Sequence, residues 1–252
     1  MKEWQSHYLL KGKIKMLESL KKSVYEANME LEKQQLVKYT WGNVSGVSRE
    51  DQCFVIKPSG VPYAELTPEM MVVCDFDGNV IEGDLNPSSD TLTHAVLYKK
   101  FENIGGVVHT HSTWATSWAQ AGMDVEAYGT THADTFYGSI PCAPYLNDTS
   151  IEKGYELEAG NLIVDTFSRR NINYLEIPAV LLHGHGPFTW GKDAKEAVMH
   201  AVVLEEVCKM NYRTRMLNEN ASLLPKSILD KHYLRKQGEH AYYGQKKERN
   251  SK

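Results

Sequence analysis

The sequence predicts a single α/β domain in which a central, mainly antiparallel or mixed β-sheet is flanked by helices. Short apolar runs typical of buried strands alternate with segments whose apolar residues recur every three or four positions. The chain has 252 residues, of which 42% are hydrophobic and 24% charged, enough to bury a sizeable core. No linker rich in Ser, Gly or Pro and no repeat of fixed period divides it. We therefore expect one layered domain.

The helices are predicted from apolar periodicity and from residues that favour helix starts. Between residues 14 and 31, apolar side chains recur at steps of three and four, with Lys and Glu on the opposite face. Ser112 and Asp193 stand where N-cap residues are expected, each just before a helical pattern. The predicted helices cover residues 14–31, 89–101, 113–121, a long segment after Asp193, and 223–240.

The strands are predicted from short apolar runs bounded by Gly, Pro or Asp. Asp77-Gly78 supplies a hairpin turn between the second strand and the third. After the last predicted strand, Gly184 to Gly191 is expected to form a loop punctuated by glycines. The predicted strands cover residues 53–56, 72–73, 80–81, 104–109 and 179–183.

Composition excludes several classes of protein. With 28 Lys and Arg against 32 Asp and Glu, the formal charge is −4, which disfavours a nucleic-acid-binding protein. No uncharged apolar stretch approaches the roughly 18 residues of a membrane span. The amino-terminal residues do not resemble a signal peptide. The four cysteines form no CxxC pair and are expected to be reduced. Together these features predict a cytoplasmic protein.

Two pairs of histidines follow apolar strands. In His109-Thr110-His111, residues i and i+2 of an extended chain project from one face, so both imidazoles can reach one point. For such a pair alone, ordinary hydrogen-bonded histidines are the commoner explanation. The second pair, His183-Gly184-His185, favours a three-histidine metal site with room for substrate. Spacing does not decide between His183 and His185.

A carboxylate and several small polar residues could complete such a site. Asp90 stands just before a predicted helix, where it could equally be a helix cap. Backbone N–H groups, hydroxyls and one lysine are the groups that receive a phosphate, although each cluster alone is more often a turn. No Walker or Rossmann fingerprint is present, which disfavours a nucleotide. The clusters are Gly42-Asn43-Val44-Ser45, Lys57-Pro58-Ser59-Gly60 and Ser88-Ser89.

Groups for proton transfer are harder to identify. Thr130-Thr131-His132-Ala133-Asp134 offers a carboxylate near an imidazole, but it could also be a loop with a capping aspartate. Tyr242 and Tyr243 would ordinarily be packing residues, and His232 a histidine on the surface of a helix.

The order of these motifs resembles that in L-ribulose-5-phosphate 4-epimerases, which belong to the class II aldolase/epimerase superfamily. The matching motifs are GNVS, VIKPSGV, PSSDT, VVHTHS, TTHAD, HGHGPF and AYYGQ. The resemblance implies a class II aldolase-like domain over residues 16–245, with an amino-terminal extension over residues 1–15 and a polar tail over residues 246–252.

The resemblance also implies roles for individual residues. Asp90, His109, His111 and His185 would hold a divalent metal, normally Zn²⁺, although Mn²⁺ or Co²⁺ would suit the same ligands. Asp134 and Tyr243 would transfer protons, with His232 assisting near Asp134. The residues implied around the substrate, mostly at its phosphate, are Gly42, Asn43, Lys57, Ser59, Gly60, Ser88 and Ser89.

The implied activity is conversion of L-ribulose 5-phosphate to D-xylulose 5-phosphate in carbohydrate catabolism, such as that of arabinose. The implied assembly is a homotetramer with the site at an interface between subunits. Two alternatives stay open. One is a class II aldolase for fuculose or rhamnulose phosphates, which typically carries Glu where this chain has Asp90. The other is a non-catalytic module like the adducin head, which is expected to lack the histidine ligands.

Overall fold

A mixed eight-stranded sheet lies between two layers of helices. The structure is a computed structural model that describes the backbone of residues 2–237 and the side chains of residues 17–237. The strands are β1 (Asn43–Ser48), β2 (Cys53–Ile56), β3 (Val72–Asp75), β4 (Val80–Glu82), β5 (Gly106–His109), β6 (Cys142–Ala143), β7 (Ala179–Leu182) and β8 (Gly186–Gly191). Their order across the sheet is β4-β3-β2-β1-β5-β8-β7-β6, and every pairing is antiparallel except the parallel pair β6–β7. The predicted fold class is confirmed.

The described part of the chain contains seven α-helices, of which the last packs against the fourth and not against the sheet. They are α1 (Lys2–Lys33), α2 (Thr91–Lys100), α3 (Thr113–Ala121), α4 (Thr130–Ala133), α5 (Asp148–Arg169), α6 (Ala194–Leu217) and α7 (Lys226–Gln237). The first is longer than the predicted 14–31, and the last begins at Lys226, just after Pro225. The final part of the predicted 223–240 helix lies outside the described residues.

The sheet has a hydrophobic core on each face, and successive side chains of a strand point alternately into the two cores. In β2, Phe54 and Ile56 contribute to one core, with side chains from α2 and α5. Their neighbours Cys53 and Val55 contribute to the other, with side chains from α1 and the first turns of α6. Because both faces are covered, the central strands are apolar throughout instead of alternating between apolar and polar.

The predicted loop from Gly184 to Gly191 is wrong for most of its length. Residues 186–191 form strand β8, which is buried and pairs with β5 and β7. Its glycines serve close packing: a Cβ at Gly191 would lie 2.7 Å from the backbone nitrogen of Ala197, and one at Gly186 would lie 2.8 Å from the carbonyl oxygen of Thr110. Sequence periodicity could not distinguish glycines that pack against backbone from glycines that turn.

The two predicted N-caps have different outcomes. Asp193 does cap α6, because its carboxylate accepts a hydrogen bond from the Glu196 backbone nitrogen at 2.8 Å. Ser112 occupies the N-cap position of α3 but makes no capping bond. Instead Glu205, from α6, accepts from the backbone nitrogens of Trp114 and Ala115, both at 2.9 Å. The start of α3 is therefore held by a residue some 90 positions away, which local sequence does not reveal.

Besides β8, the short elements β6 and α4 and the two longer elements β1 and α5 were not predicted. Strand β1 includes Asn43-Val44-Ser45, whose small polar residues favour a turn over a strand. Helix α5 has a weak apolar pattern and a break at Gly154, although the Asn147 side chain accepts from the Ser150 backbone nitrogen as an N-cap does. Both longer elements are defined by pairing and packing with distant parts of the chain.

Candidate metal centre and polar cavity

Three adjacent strands bring the predicted ligands to one end of the sheet. Strand β5 ends at His109, which pairs with Asn43 at the start of β1 on one side. On the other side His109 pairs with Phe188, near the start of β8. The residues that leave β5 and those that enter β1 and β8 must therefore share one region of space. This register places His185, just before β8, beside His109 and His111.

The three imidazoles form a compact group of possible metal ligands. One ring nitrogen from each of His109, His111 and His185 lies within 4.8 Å of the others, and no other such group occurs in the part of the chain with described side chains. The Nε2 atoms of His109 and His111 are 3.0 Å apart. His109 is buried and His111 exposed, so the group opens to solvent on the His111 side. A catalytic metal site typically has three protein ligands and one side open to water or substrate, and this group has the same arrangement.

The structure decides the choice that spacing left open. His183 turns away from the group and stacks on Tyr145, with 3.6 Å between ring centroids. The structure places His185 in the group, with its ring centroid 4.6 Å from that of His109.

The electrostatic environment keeps these imidazoles able to bind a cation. Burial lowers the pKa of His111 and of His185, and the proximity of His109 lowers both further. Nδ1 of His109 lies 2.9 Å from the carbonyl oxygen of Pro187, and a proton on Nδ1 leaves the lone pair on Nε2. Neutral rings whose nitrogens face one another suit a divalent ion at their centre. The residues present therefore fit a metal.

Asp90 lies beside the three-nitrogen group without being one of its members. It stands at the N-cap position of α2 but makes no capping bond, unlike the alternative weighed from sequence. Its Oδ2 accepts a hydrogen bond from Asn43 Nδ2 at 2.7 Å. Burial would raise the pKa of Asp90, but the neighbouring imidazoles of His109 and His94 and the bond from Asn43 outweigh it and lower the pKa. Asp90 is thus an ionised carboxylate, oriented by Asn43, next to the histidines.

A polar cavity of about 170 Å³ adjoins the histidine group through Asn43 and Asp90. The loops that follow β2 and precede α2 are held together by a bridge between Pro58 and Pro87 and by a 3.0 Å bond from the Ser88 nitrogen to the Lys57 carbonyl. All seven residues predicted around the substrate line this cavity: Gly42, Asn43, Lys57, Ser59, Gly60, Ser88 and Ser89.

Lys57 places a buried amine in the lining of the cavity. Its side chain is 1% exposed, and its Nζ donates to the carbonyls of Pro58 at 3.2 Å and Val61 at 3.1 Å. Burial lowers the pKa of Lys57 to about 8. No carboxylate forms an ion pair with it within residues 17–237. A buried cation whose partners are carbonyl oxygens and the ring of Tyr63 would be stabilised by a bound anion.

Glycine is required at two positions of the cavity for different reasons. Gly42 has a φ of +79°, and a Cβ there would lie 2.9 Å from the His109 carbonyl oxygen. Gly60 has a φ of +69° but open space around it, so only its backbone conformation demands glycine.

Asp134 belongs to a second cluster. It follows α4, and its carboxylate contacts His232 Nδ1 at 3.0 Å, Arg235 Nη2 at 2.9 Å and Lys236 Nζ at 3.2 Å, all from α7. Burial would raise the pKa of Asp134, but the hydrogen bonds from these three residues lower it. None of its contacts within the described side chains is with the histidine group.

The structure also changes two expectations about this cluster. The imidazole beside Asp134 is that of His232, which sequence alone would leave on the helix surface. His132 instead turns its Nε2 to the Gly138 carbonyl at 2.7 Å. Tyr243 lies outside the described residues.

Two aromatic residues near the histidines were missed from sequence. Trp41 is 51% exposed, lines the cavity, and has its ring centroid 6.3 Å from that of His111. Tyr155, from α5, brings its hydroxyl to 3.2 Å from His185 Nδ1. The position of Trp41 beside Gly42-Asn43 could have identified it, but no local signal links Tyr155 to the site.

Comparison with known proteins places this geometry in context. The family described as "Class II Aldolase and Adducin N-terminal domain" matches residues 22–212. An L-fuculose 1-phosphate aldolase of known structure is 25% identical with a TM-score of 0.66, over 85% of this chain and 94% of its own. An L-fuculose-1-phosphate aldolase from Thermus thermophilus is 22% identical with a TM-score of 0.63, over 81% of this chain and 98% of its own.

A third similar structure is a Klebsiella pneumoniae protein whose activity is described only as aldolase, epimerase or decarboxylase. It is 20% identical with a TM-score of 0.69, over 85% of this chain and 98% of its own. At this identity the likeness concerns the fold. Separately, no helix in the described residues is long and apolar enough to cross a membrane.

Replacing His111 with Asn tests the metal centre. Because one of three nitrogens is lost, we expect the dissociation constant for Zn²⁺ or Co²⁺ to rise by about 100-fold or more, beyond the loss typical of a supporting residue. The measurement is metal content after dialysis, with His183→Asn as the matched control. Full metal content in His111→Asn would contradict the ligand assignment.

The lowered pKa of Lys57 predicts a pH dependence of anion binding. Below pH 8 the amine is charged and attracts the anion. As the pH rises through the pKa of about 8, the charge is lost, and affinity should fall by up to about tenfold per pH unit. Calorimetric titration with inorganic phosphate from pH 6.5 to 9.5 measures this. Lys57→Met should bind weakly at every pH, whereas Lys99→Met, at the far end of α2, should match the unmodified chain.

Proposed function

We propose that this chain, which belongs to the class II aldolase and adducin N-terminal domain family, is a metal-dependent L-ribulose-5-phosphate 4-epimerase. It would interconvert L-ribulose 5-phosphate and D-xylulose 5-phosphate in the catabolism of pentoses such as arabinose. The observation that carries the proposal is the adjacency of two sites. A cavity that contains Lys57 is lined by Asn43 and Asp90, and these two residues lie beside the three-histidine group, so one sugar phosphate could span both.

The chemistry of the substrate explains why both sites are needed. Its carbonyl is at C2, so the hydrogen on C4 is not acidified and direct removal would be slow. The C4 hydroxyl, however, is β to the carbonyl. When that hydroxyl loses its proton, the C3–C4 bond breaks and C4 becomes the carbonyl carbon of an aldehyde. The electron pair of the broken bond stays with the three-carbon fragment. Rotation of the aldehyde and re-formation of the bond, with return of the proton to oxygen, inverts C4.

The proposed metal site consists of His109, His111 and His185, with Asp90 as the adjoining carboxylate. A divalent ion there, which we propose to be Zn²⁺ with Mn²⁺ or Co²⁺ as alternatives, supplies Lewis acidity for negative charge developing on the sugar oxygens. Asn43 holds Asp90 by the 2.7 Å bond and so fixes the carboxylate between the cavity and the histidines.

The polar cavity would separate an epimerase from an aldolase that releases its product. Lys57 and the small residues around it would grip the phosphate on the two-carbon aldehyde. Because its phosphate is held, the aldehyde can rotate to present its other face but does not dissociate. This requires an anion site a short distance from the metal site, and the position of Asn43 and Asp90 between the cavity and the histidines supports that arrangement.

We propose Asp134 and Tyr243 as the proton-transferring pair, with His232 assisting Asp134. The pKa of Asp134 is lowered, so at neutral pH its carboxylate is ionised and carries no proton of its own. Since Asp134 makes no contact with His109, His111 or His185 among the described side chains of its own chain, a second subunit of a homotetramer would bring this cluster to the metal site.

A sugar-phosphate aldolase is the alternative, supported by the similarity to fuculose-phosphate aldolases. Asp90 in place of the Glu typical of those enzymes favours the epimerase. The presence of all three histidines argues against a non-catalytic, adducin-like role.

Product analysis in D₂O tests the proposed reaction. With L-ribulose 5-phosphate, the metal-loaded chain should form D-xylulose 5-phosphate without deuterium at C4, because bond cleavage between carbons leaves the C4–H bond intact. Mass spectrometry reports the isotope, and a chelator should abolish turnover. Free glycolaldehyde phosphate as the main product would indicate an aldolase, and deuterium at C4 would contradict the mechanism.

Asp134→Asn tests the proton acceptor. Loss of general-base catalysis should lower turnover by about 10²- to 10⁴-fold while metal content stays unchanged. Asp230→Asn is the matched control, because Asp230 also joins α7 to the α4 region, through the Tyr137 hydroxyl. An Asp134→Asn variant with ordinary kinetics would remove this residue from the mechanism.

A further inference from the structure

We propose that Gly154 and Tyr155 form a positioning element for the metal ligand His185, resting on the metal site of the proposed function. The hydroxyl of Tyr155 lies 3.2 Å from His185 Nδ1. The Tyr155 ring is tilted over the imidazole, with 5.8 Å between centroids and 55° between planes. With Nδ1 donating to the phenol oxygen, the lone pair of His185 is left on Nε2, and the ring is fixed in orientation.

His109 is held by the same device from another direction. Its Nδ1 meets the Pro187 carbonyl at 2.9 Å, and its ring stacks on Phe188 at 4.3 Å. His185 lies in the turn before β8, with the strongly bent backbone of Gly184 on one side. It therefore needs a partner from outside its own strand, and α5 provides one.

A break in α5 places Tyr155 at the site. Gly154 has φ 130° and ψ 105° inside an otherwise helical segment. A Cβ at Gly154 would meet no atom within 4 Å, so the glycine is required for its backbone conformation and not for space. An L-residue rarely adopts this φ. Because the break comes one residue before Tyr155, it sets the direction in which the phenol leaves the helix.

The neighbouring pair Tyr145 and His183 provides an internal comparison. Their rings stack at 3.6 Å, closer than Tyr155 and His185, yet His183 is outside the ligand group. Tyr145 is 63% exposed. Removing the hydroxyl of Tyr145 is thus the same chemical change, beside a histidine of the same turn, at a position with no expected effect on the metal.

The experiment compares Tyr155→Phe with Tyr145→Phe by metal binding, with no substrate present. We expect Tyr155→Phe to raise the dissociation constants for Co²⁺ and Zn²⁺ by about 10- to 100-fold, measured by competition with a chromogenic chelator. The visible absorption of the Co²⁺-loaded protein should change, since ligand orientation alters its geometry. The melting temperature of the metal-free protein should stay the same. Tyr145→Phe should match the unmodified chain in all three measurements.

Gly154→Ala provides a second route to the same loss. It should weaken metal binding as Tyr155→Phe does, and the double variant should be no weaker than either alone if both act through one contact. If Gly154→Ala does not fold, Tyr155→Phe decides the matter.

Unchanged affinity and an unchanged Co²⁺ spectrum in Tyr155→Phe would overturn the proposal. So would a lowered melting temperature of the metal-free variant with unchanged metal affinity, which would make the hydroxyl merely structural. An unmodified chain that binds neither ion would overturn both this inference and the metal site. If the chain binds metal as expected but lacks epimerase activity, the proposed function fails while the positioning element stands.

Discussion

The antiparallel register of β1, β5 and β8 is the constraint on which the site depends. His109 is paired with Asn43 on one side and with Phe188 on the other, so three chain segments are forced to meet at one end of the sheet. A shift of one residue in a strand would send its side chains to the opposite face. Close-packed glycines hold this register, since a Cβ at Gly106 would clash with the backbone of Ala194.

Two opposite electrostatic demands are met within a few residues of one another. The histidine group and Asp90 offer lone pairs and negative charge for a cation, whereas the adjoining cavity offers the ammonium of Lys57 for an anion. Asn43 touches both, because its amide donates to Asp90 and to the Ser88 hydroxyl at 2.9 Å. A substrate with an anionic end and with oxygens for a metal would satisfy both sites together. Burying a charged group without a partner costs free energy, so each site favours a ligand of the opposite charge.

The helices support the site from outside the sheet. Glu205 on α6 holds the start of α3 and thereby the segment that leaves His111. Tyr155 on α5 holds His185, and Asn43 fixes Asp90 at the start of α2. Each of these contacts orients a group that a metal or substrate would use, so the precision of the site depends partly on residues such as Glu205 and Tyr155 that are not proposed to bind either.

The sequence by itself determined the fold class, most strands and the identity of the polar groups, because strand and helix periods and strand-end motifs are local properties. All seven residues that its motifs placed around the substrate do line the cavity. Only the tertiary structure placed His185 instead of His183 with His109, made residues 186–191 a strand, replaced Ser112 by Glu205 as the cap, and brought Tyr155 to the site. Each of these outcomes depends on contacts between residues far apart in the chain. Such contacts produce no pattern within a short stretch of sequence, so local periodicity and motifs cannot predict them.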